Sequence, residues 1–254
     1  MDASAFPSAA ATVDTHPLFA GLGAAEKKEL AAAARLSRHA KGEALLRPGE
    51  TIMRFCLLLE GWACLRKGNA EGQESILHIM GTGDFFPDAD RLGRAVCLTG
   101  VEALAPVAVL SFPAALARDL CARSPAFAAN LLATASRRAQ DLLDHVEHLT
   151  LCSAEKRVGW FLLKLHLQAG PEGTEIALPF EKAIIASYLG ITPETLSRVL
   201  HHFRENGFSS GRGTVTMPDP HALCDYCDAR TAQECAHADT AHCPYPLSDT
   251  IEAV

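Results

Sequence analysis

The chain has 254 residues, 48% of them hydrophobic and 21% charged, and a net charge of −7. The length suits two ordinary domains, and no apolar run approaches the roughly 20 residues a bilayer span needs. Net negative charge excludes a protein that coats nucleic acid by bulk attraction, but not one that reads a specific site through a local field.

Residues 1–16 hold an early Asp2, no basic start and no sustained apolar core. They do not read as a secretory signal and are expected to be a disordered lead. The chain is therefore expected in the cytoplasm, with its nine cysteines as thiols or metal ligands rather than a disulfide frame. Residues 17 to about 40 look like a short helical lead, with alanine and leucine periodicity predicting one helix over Ala24 to Leu36. From Lys41 to Phe112, short apolar runs alternate with Gly and Pro. That spacing predicts a small antiparallel barrel or sandwich. Cys56, Cys64, Cys97 and Cys121 stand singly among apolar residues and read as core packing.

Ser124-Pro125 is a cap followed by a first-turn proline, and opens a helix over 124–150. Ala128, Leu132, Ala135, Ala139, Leu142, Val146 and Leu149 follow in steps of four and three, the heptad spacing of a coiled coil. These seven positions are expected to form a parallel dimer seam. A second capped helix starts at Ser153 and is broadly apolar through Leu167; a turn and a short strand follow it.

Residues 179–207 read as two short helices joined by a tight turn. Ala183, Ile184, Ile185, Ala186, Tyr188 and Leu189 make the first helix apolar on one face, and Gly190 breaks the pattern where a C-cap tolerates positive φ. Thr192 suits the N-cap of the second helix, Pro193 its first position, and Glu194 its first turn. Leu196, Val199, Leu200 and Phe203 point inward; Glu194, Thr195, Ser197, Arg198, His201 and His202 are left outward or on the flank. This is a helix-turn-helix whose second helix carries groups able to read bases: arginine on a guanine edge, glutamate on cytosine N4, serine on base or phosphate. Residues 208–218 then suggest a wing hairpin with Arg212 at its tip, near backbone phosphate.

The last segment, 223–254, differs from the rest. Cys224 and Cys227 form a CxxC pair, and Cys235 and Cys243 follow at equal gaps in a polar stretch. Four thiolates suit Zn²⁺ or an iron–sulfur cluster.

The run LGITPETLSRVLHHFRENG, and with it most of residues 17 to 223, resembles the CRP/FNR superfamily of bacterial transcription regulators. Glu194, Ser197 and Arg198 fall where the FNR branch reads a TTGAT-type half-site. The glycine order Gly42, Gly49, Gly61, Gly72, Gly81 and Gly83 resembles the β-roll sensor domain of that family. The resemblance implies an α+β fold: a β-roll sensor domain resembling a cyclic-nucleotide-binding domain (17–123), a dimerisation helix (124–150), a winged helix-turn-helix domain (151–222) and an added cysteine tail (223–254). Family members that bind cyclic nucleotides carry Gly-Glu and then Arg with a hydroxyl residue. Here Asp84, Pro87 and Asp88 replace the first part and Arg94 is followed by Ala95, which argues against a cyclic nucleotide.

The expected protein is a homodimeric regulator on double-stranded DNA bearing a TTGAT-like inverted repeat, contacting RNA polymerase if it activates, with no membrane partner. FNR-branch relatives sense oxygen or nitric oxide through a [4Fe–4S] cluster, usually with ligands near the N-terminus. That set is absent here, where the first cysteine is Cys56, and what carries over is the placement in a smaller group of relatives with a cysteine cluster after the DNA-binding domain. By that resemblance Cys224, Cys227, Cys235 and Cys243 are expected to hold such a cluster, with zinc as the alternative and a thiol–disulfide switch or no cofactor as the remaining reading. The rival reading places a nucleotide or haem in the β-roll pocket and makes the tail a structural zinc site. No Ser/His/Asp set, nucleophile elbow or phosphate loop appears, so an enzyme is not expected.

Overall fold

The structure is a computed structural model. It describes residues 8–69, 74–87, 96–169, 173–178, 180–211, 213–219, 221–228, 231 and 235. The internal contacts divide the chain into two units, residues 1–143 and 144–254.

The first unit begins with helix α1 (Ala9–Thr15), a 3-10 turn (Pro17–Phe19) and α2 (Ala24–Ala33). Among the described residues eight strands follow: β1 (Arg35–His39), β2 (Ala44–Leu46), β3 (Arg54–Glu60), β4 (Ala63–Gly68), β5 (Glu74–Met80), β6 (Phe85–Phe86), β7 (Gly100–Ala103) and β8 (Val107–Pro113). They form two antiparallel sheets, ordered β1-β8-β3-β6 and β2-β7-β4-β5. Helix α3 (Ala114–Arg123) and the start of α4 (Pro125–Leu151) close the unit.

Alternation along the strands makes two cores, because successive side chains point to opposite faces. Phe55 and Leu57 of β3, with Leu110 and Phe112 of β8, pack on the helices beside Phe19, Leu120 and Phe127. Leu58, Val107 and Val109 turn the other way, onto Met80, Val101 and Ala103 of the second sheet. Strand β8 is thus covered on both faces, which is why its sequence is almost continuously apolar.

Two expectations at the N-terminal end need correction. Residues 9–15 are helical rather than disordered: Ser8 caps α1 by accepting from the Ala11 N–H, and Thr12 and Val13 are buried in the unit. Helix α2 ends at Ala33, and Leu36 lies in β1, paired with Leu110. Ladder pairing with β8 overrides the helical periodicity, which extended only a few residues past the helix.

The second unit holds the last two turns of α4, then α5 (Ala154–Ala169), β9 (Glu175–Ala177), α6 (Lys182–Tyr188), α7 (Pro193–Glu205), β10 (Ser209–Ser210) and β11 (Thr214–Thr216). The three strands form one sheet ordered β10-β11-β9. The core is built on Trp160, Phe161, Ile176, Ile185, Leu196 and Phe203. The end of α4 belongs here because His145 stacks on Tyr188 (centroids 4.1 Å apart) and His148 on Trp160 (4.2 Å).

Candidate nucleic-acid interface

The α6–turn–α7 pair is built by short-range chemistry. Gly190 takes φ +60°, and a side chain there would also crowd Leu149 at 3.0 Å. Arg157 Nη1 of α5 donates to the Leu189 carbonyl at 2.7 Å and fixes the turn from below. Thr192 caps α7, its hydroxyl accepting from the Thr195 N–H at 3.2 Å, and Pro193 opens the helix. Leu196, Val199, Leu200 and Phe203 are buried, so one edge of α7 is anchored.

The opposite edge is left to solvent. Thr192, Pro193, Glu194, Ser197 and Arg198 are exposed and Thr195 is half-buried. Arg198 makes no recorded hydrogen bond or ion pair to another described residue, so its guanidinium keeps its donors. The Glu194 carboxyl is held below the usual carboxylate range by its own backbone N–H and then by the Thr192 hydroxyl, so it stays ionised and acceptor-only. Arg204 bonds the Ser210 hydroxyl twice, from Nε at 2.9 Å and Nη2 at 2.6 Å, and ties the end of α7 to the wing strand β10. Arg212, expected at the wing tip, lies outside the described residues.

The expected dimer seam on α4 is apolar and largely uncovered. Leu132 is 68% exposed, Leu142 38% and Val146 55%; Ala139 is exposed, and Ala128, Ala135 and Leu149 are half-buried. Leu143, outside the expected seven, is 62% exposed beside them. The buried side of the same helix carries Phe127, Leu131, His145 and His148.

The start of the cysteine tail is not a free appendage. Leu223 is fully buried, and Cys224–Tyr226 form a 3-10 turn against α5. The Tyr226 ring packs over Gly159: a Cβ on that glycine would lie 2.2 Å from the ring. The same ring meets Phe203 of α7 at 5.3 Å, and its hydroxyl donates to Glu155 Oε1 at 3.1 Å. Burial, then the Glu155 carboxylate, pushes the phenol up to about 12, so it stays a donor. Glu155 Oε1 also lies 3.8 Å from His202 Nε2 on α7. Asp228 reaches His148 Nε2 at 3.4 Å. None of Gly159, Tyr226, Glu155 or His148 was singled out from sequence. The available signal was Gly159 itself, since a glycine inside an apolar helix costs about 1 kcal/mol against alanine and marks a close approach.

Cys224 and Cys227 are half-buried thiols at the two ends of this turn, and Cys227 Sγ donates to the Asp228 carbonyl at 3.4 Å. Cys235 is half-buried as well, and Cys243 lies outside the described residues. Among the described residues no three His, Cys, Asp or Glu side chains converge as a metal site. Arg94 and Asp88 of the sensor domain also lie outside the described residues. No helix among the described residues is long and apolar enough to cross a membrane.

Comparison with known proteins gives two family matches: residues 36–124 match the cyclic nucleotide-binding domain, and residues 156–226 the Crp-like helix-turn-helix domain. The chain is 30% identical over 214 residues to the Cyclic AMP receptor protein of Thermus thermophilus, covering 79% of this chain and 92% of that protein. It is 27% identical to the Nitrogen fixation regulation protein FixK of Bradyrhizobium diazoefficiens, over 82% of this chain and 88% of that one. Its fold is similar to the solved structure of FixK2 from Bradyrhizobium japonicum, with a TM-score of 0.69 over 77% of this chain and 98% of the other at 22% identity.

Proposed function

Since this chain belongs to the CRP/FNR family of DNA-binding transcription regulators, we propose that it acts as a homodimer on an inverted repeat with TTGAT-like half-sites. The observation that carries the reading is the exposed edge of α7, where Glu194, Ser197 and Arg198 stand on a helix anchored by four buried residues. Rigid anchoring matters because bidentate base contacts tolerate little misplacement. In this reading Arg198 contacts a guanine, Glu194 accepts from a cytosine, and Ser197, Thr195 and the start of α7 at Thr192 and Pro193 approach base or phosphate. Arg212 neutralises backbone phosphate from the wing. Dimer formation through Leu132, Leu142 and Val146 supports two reading heads about one helical turn of DNA apart. RNA polymerase is the further partner if the protein activates.

We further propose that Cys224, Cys227, Cys235 and Cys243 hold a metal centre, and that the modules are 17–123, 124–150, 151–222 and 223–254. The donor chemistry fits: two half-buried thiols lie at the ends of one 3-10 turn. A [4Fe–4S] cluster there would supply sensitivity to oxygen, nitric oxide or redox state, and zinc would supply a clamp. The chain's own part is mechanical. Tyr226 sits between the two cysteines in sequence and holds the tail against α5 and α7, so the position of the thiols is linked to the base of the reading helix.

Two experiments test this. Fluorescence anisotropy with duplexes bearing the TTGAT repeat or a scrambled repeat should show a preference of at least about 10³-fold; equal affinity overturns the site. Anaerobic purification with a visible spectrum and iron, sulfide and zinc analysis tests the tail. A broad band near about 400 nm that bleaches in air supports the cluster. Stoichiometric zinc in a colourless protein supports the clamp, and metal-free protein overturns both.

A further inference from the structure

A cavity of about 280 Å³ opens between the two sheets of the first unit. Leu45, Cys56, Phe86 and Val109 supply an apolar wall, and Arg54 and Ser111 a polar one. Arg54 is the unusual member. Its Nε donates to Ser111 Oγ at 2.8 Å, and its Nη2 to the carbonyls of Ser111 at 2.6 Å and Ala33 at 3.5 Å. All three acceptors are neutral, and Nη1 makes no recorded hydrogen bond to a described residue. Among the described residues no carboxylate pairs with Arg54 and none lines the cavity. Burial, then the like charge of Arg35, lowers the pKa of the guanidinium. Burial pushes the Cys56 thiol up to about 12, so that thiol is neutral and supplies no counter-charge.

Among the described residues this partly buried cation is held by neutral groups alone, and a planar carboxylate is what a guanidinium fork fits best. We propose that this cavity binds a small monocarboxylic acid with an apolar tail, its carboxylate on Arg54 and its tail among Leu45, Cys56, Phe86 and Val109. His39 also lines the cavity, but its Nδ1 already meets Glu43 Oε1 at 2.6 Å, so among the described lining residues Arg54 is the cation left to a ligand and sets its charge at one. The volume equals roughly nine waters at about 30 Å³ each, hence a ligand of about ten non-hydrogen atoms. It falls just short of the range typical of drug-sized ligands, which begins near about 300 Å³. The site lies within the sensor unit and does not depend on the metal reading of the tail.

The test is calorimetry on the full chain with phenylacetate and octanoate, each compared with its neutral amide. The acids should bind once per chain, at least about tenfold tighter than the amides. Leu45→Trp, on the edge strand β2, should fill the cavity and abolish binding of the acids. Arg54→Met should bring the acids down to the affinity of the amides. If Arg54→Met does not fold, because its guanidinium also ties Ser111 to the end of α2, the acid-to-amide ratio and Leu45→Trp decide. Equal affinity of acid and amide, binding that survives Leu45→Trp, or no binding of either acid at about 10 mM, above the roughly 1 mM scale of weak ligands, overturns the proposal.

Discussion

Replacing Gly159 by alanine has a sign that depends on the seating of Tyr226. In a free helix the change stabilises by about 1 kcal/mol, because glycine is the poorer helix former. Here the new Cβ would lie 2.2–2.7 Å from three atoms of the Tyr226 ring. The ring must leave, and with it go the Phe203 contact at 5.3 Å and the hydrogen bond to Glu155 at 3.1 Å. An aromatic pair contributes about 0.5–1.5 kcal/mol, and a bond to a half-exposed carboxylate about 1–1.5 kcal/mol. Against the helix gain, Gly159→Ala should destabilise by about 0.5–2 kcal/mol, a drop of a few degrees in Tm (about 2–4 °C per kcal/mol for a chain of this size). Hydrogen exchange should show loss of protection at 223–227, and thiol titration faster labelling of Cys224 and Cys227. In a Tyr226→Ala background the same change should be neutral or stabilising, because nothing is then displaced. Gly159→Ala that stabilises the wild-type chain, with unchanged exchange at 223–227, would refute the wedge.

Three other outcomes follow from the same geometry. Arg198→Ala should cost about 1–3 kcal/mol of specific binding and relax discrimination at one base pair, read by anisotropy on a set of single-position operator variants; an unchanged preference contradicts base reading. Val146→Glu should convert dimer to monomer in sedimentation runs, since it sets like charges across the seam, and a dimer of unchanged strength would mean that the seam lies elsewhere. The third concerns His145, which is buried with its Nδ1 unbonded among the described residues, so protonation would put an N–H where no acceptor is at hand. Burial first, then His148 and Lys164, hold its pKa down at about 4, below the ordinary histidine value of about 6.5. A lowered histidine pKa means that the unfolded chain takes the proton first. Its contribution is therefore complete above about pH 6.5 and is lost as pH falls toward about 4, to a ceiling of about 3 kcal/mol. Urea unfolding between those limits should show a shallower loss in His145→Phe than in the wild type, and parallel curves would count against this assignment.

Local chemistry made the reading head legible from residues alone. Cap, first-turn proline, turn glycine and apolar spacing over Lys182–Glu205 all act within a few positions of one another, and the structure keeps each of them. The helix that carries the seven α4 positions was legible for the same reason, a repeat confined to one element. What sequence could not supply were partners far apart in the chain. Leu36 reads as helix by periodicity and is a strand because β8 pairs with it. Residues 9–15 look like a loose lead and are ordered by burying Thr12 and Val13. Gly159 and Tyr226 are separated by 66 intervening residues, and only packing shows that the glycine is the floor under the ring. Arg54 likewise reads as an ordinary strand arginine. Its setting among neutral acceptors of the described residues exists only once both sheets close over it, because the cost of a charge depends on what surrounds it in space and not on its neighbours in sequence.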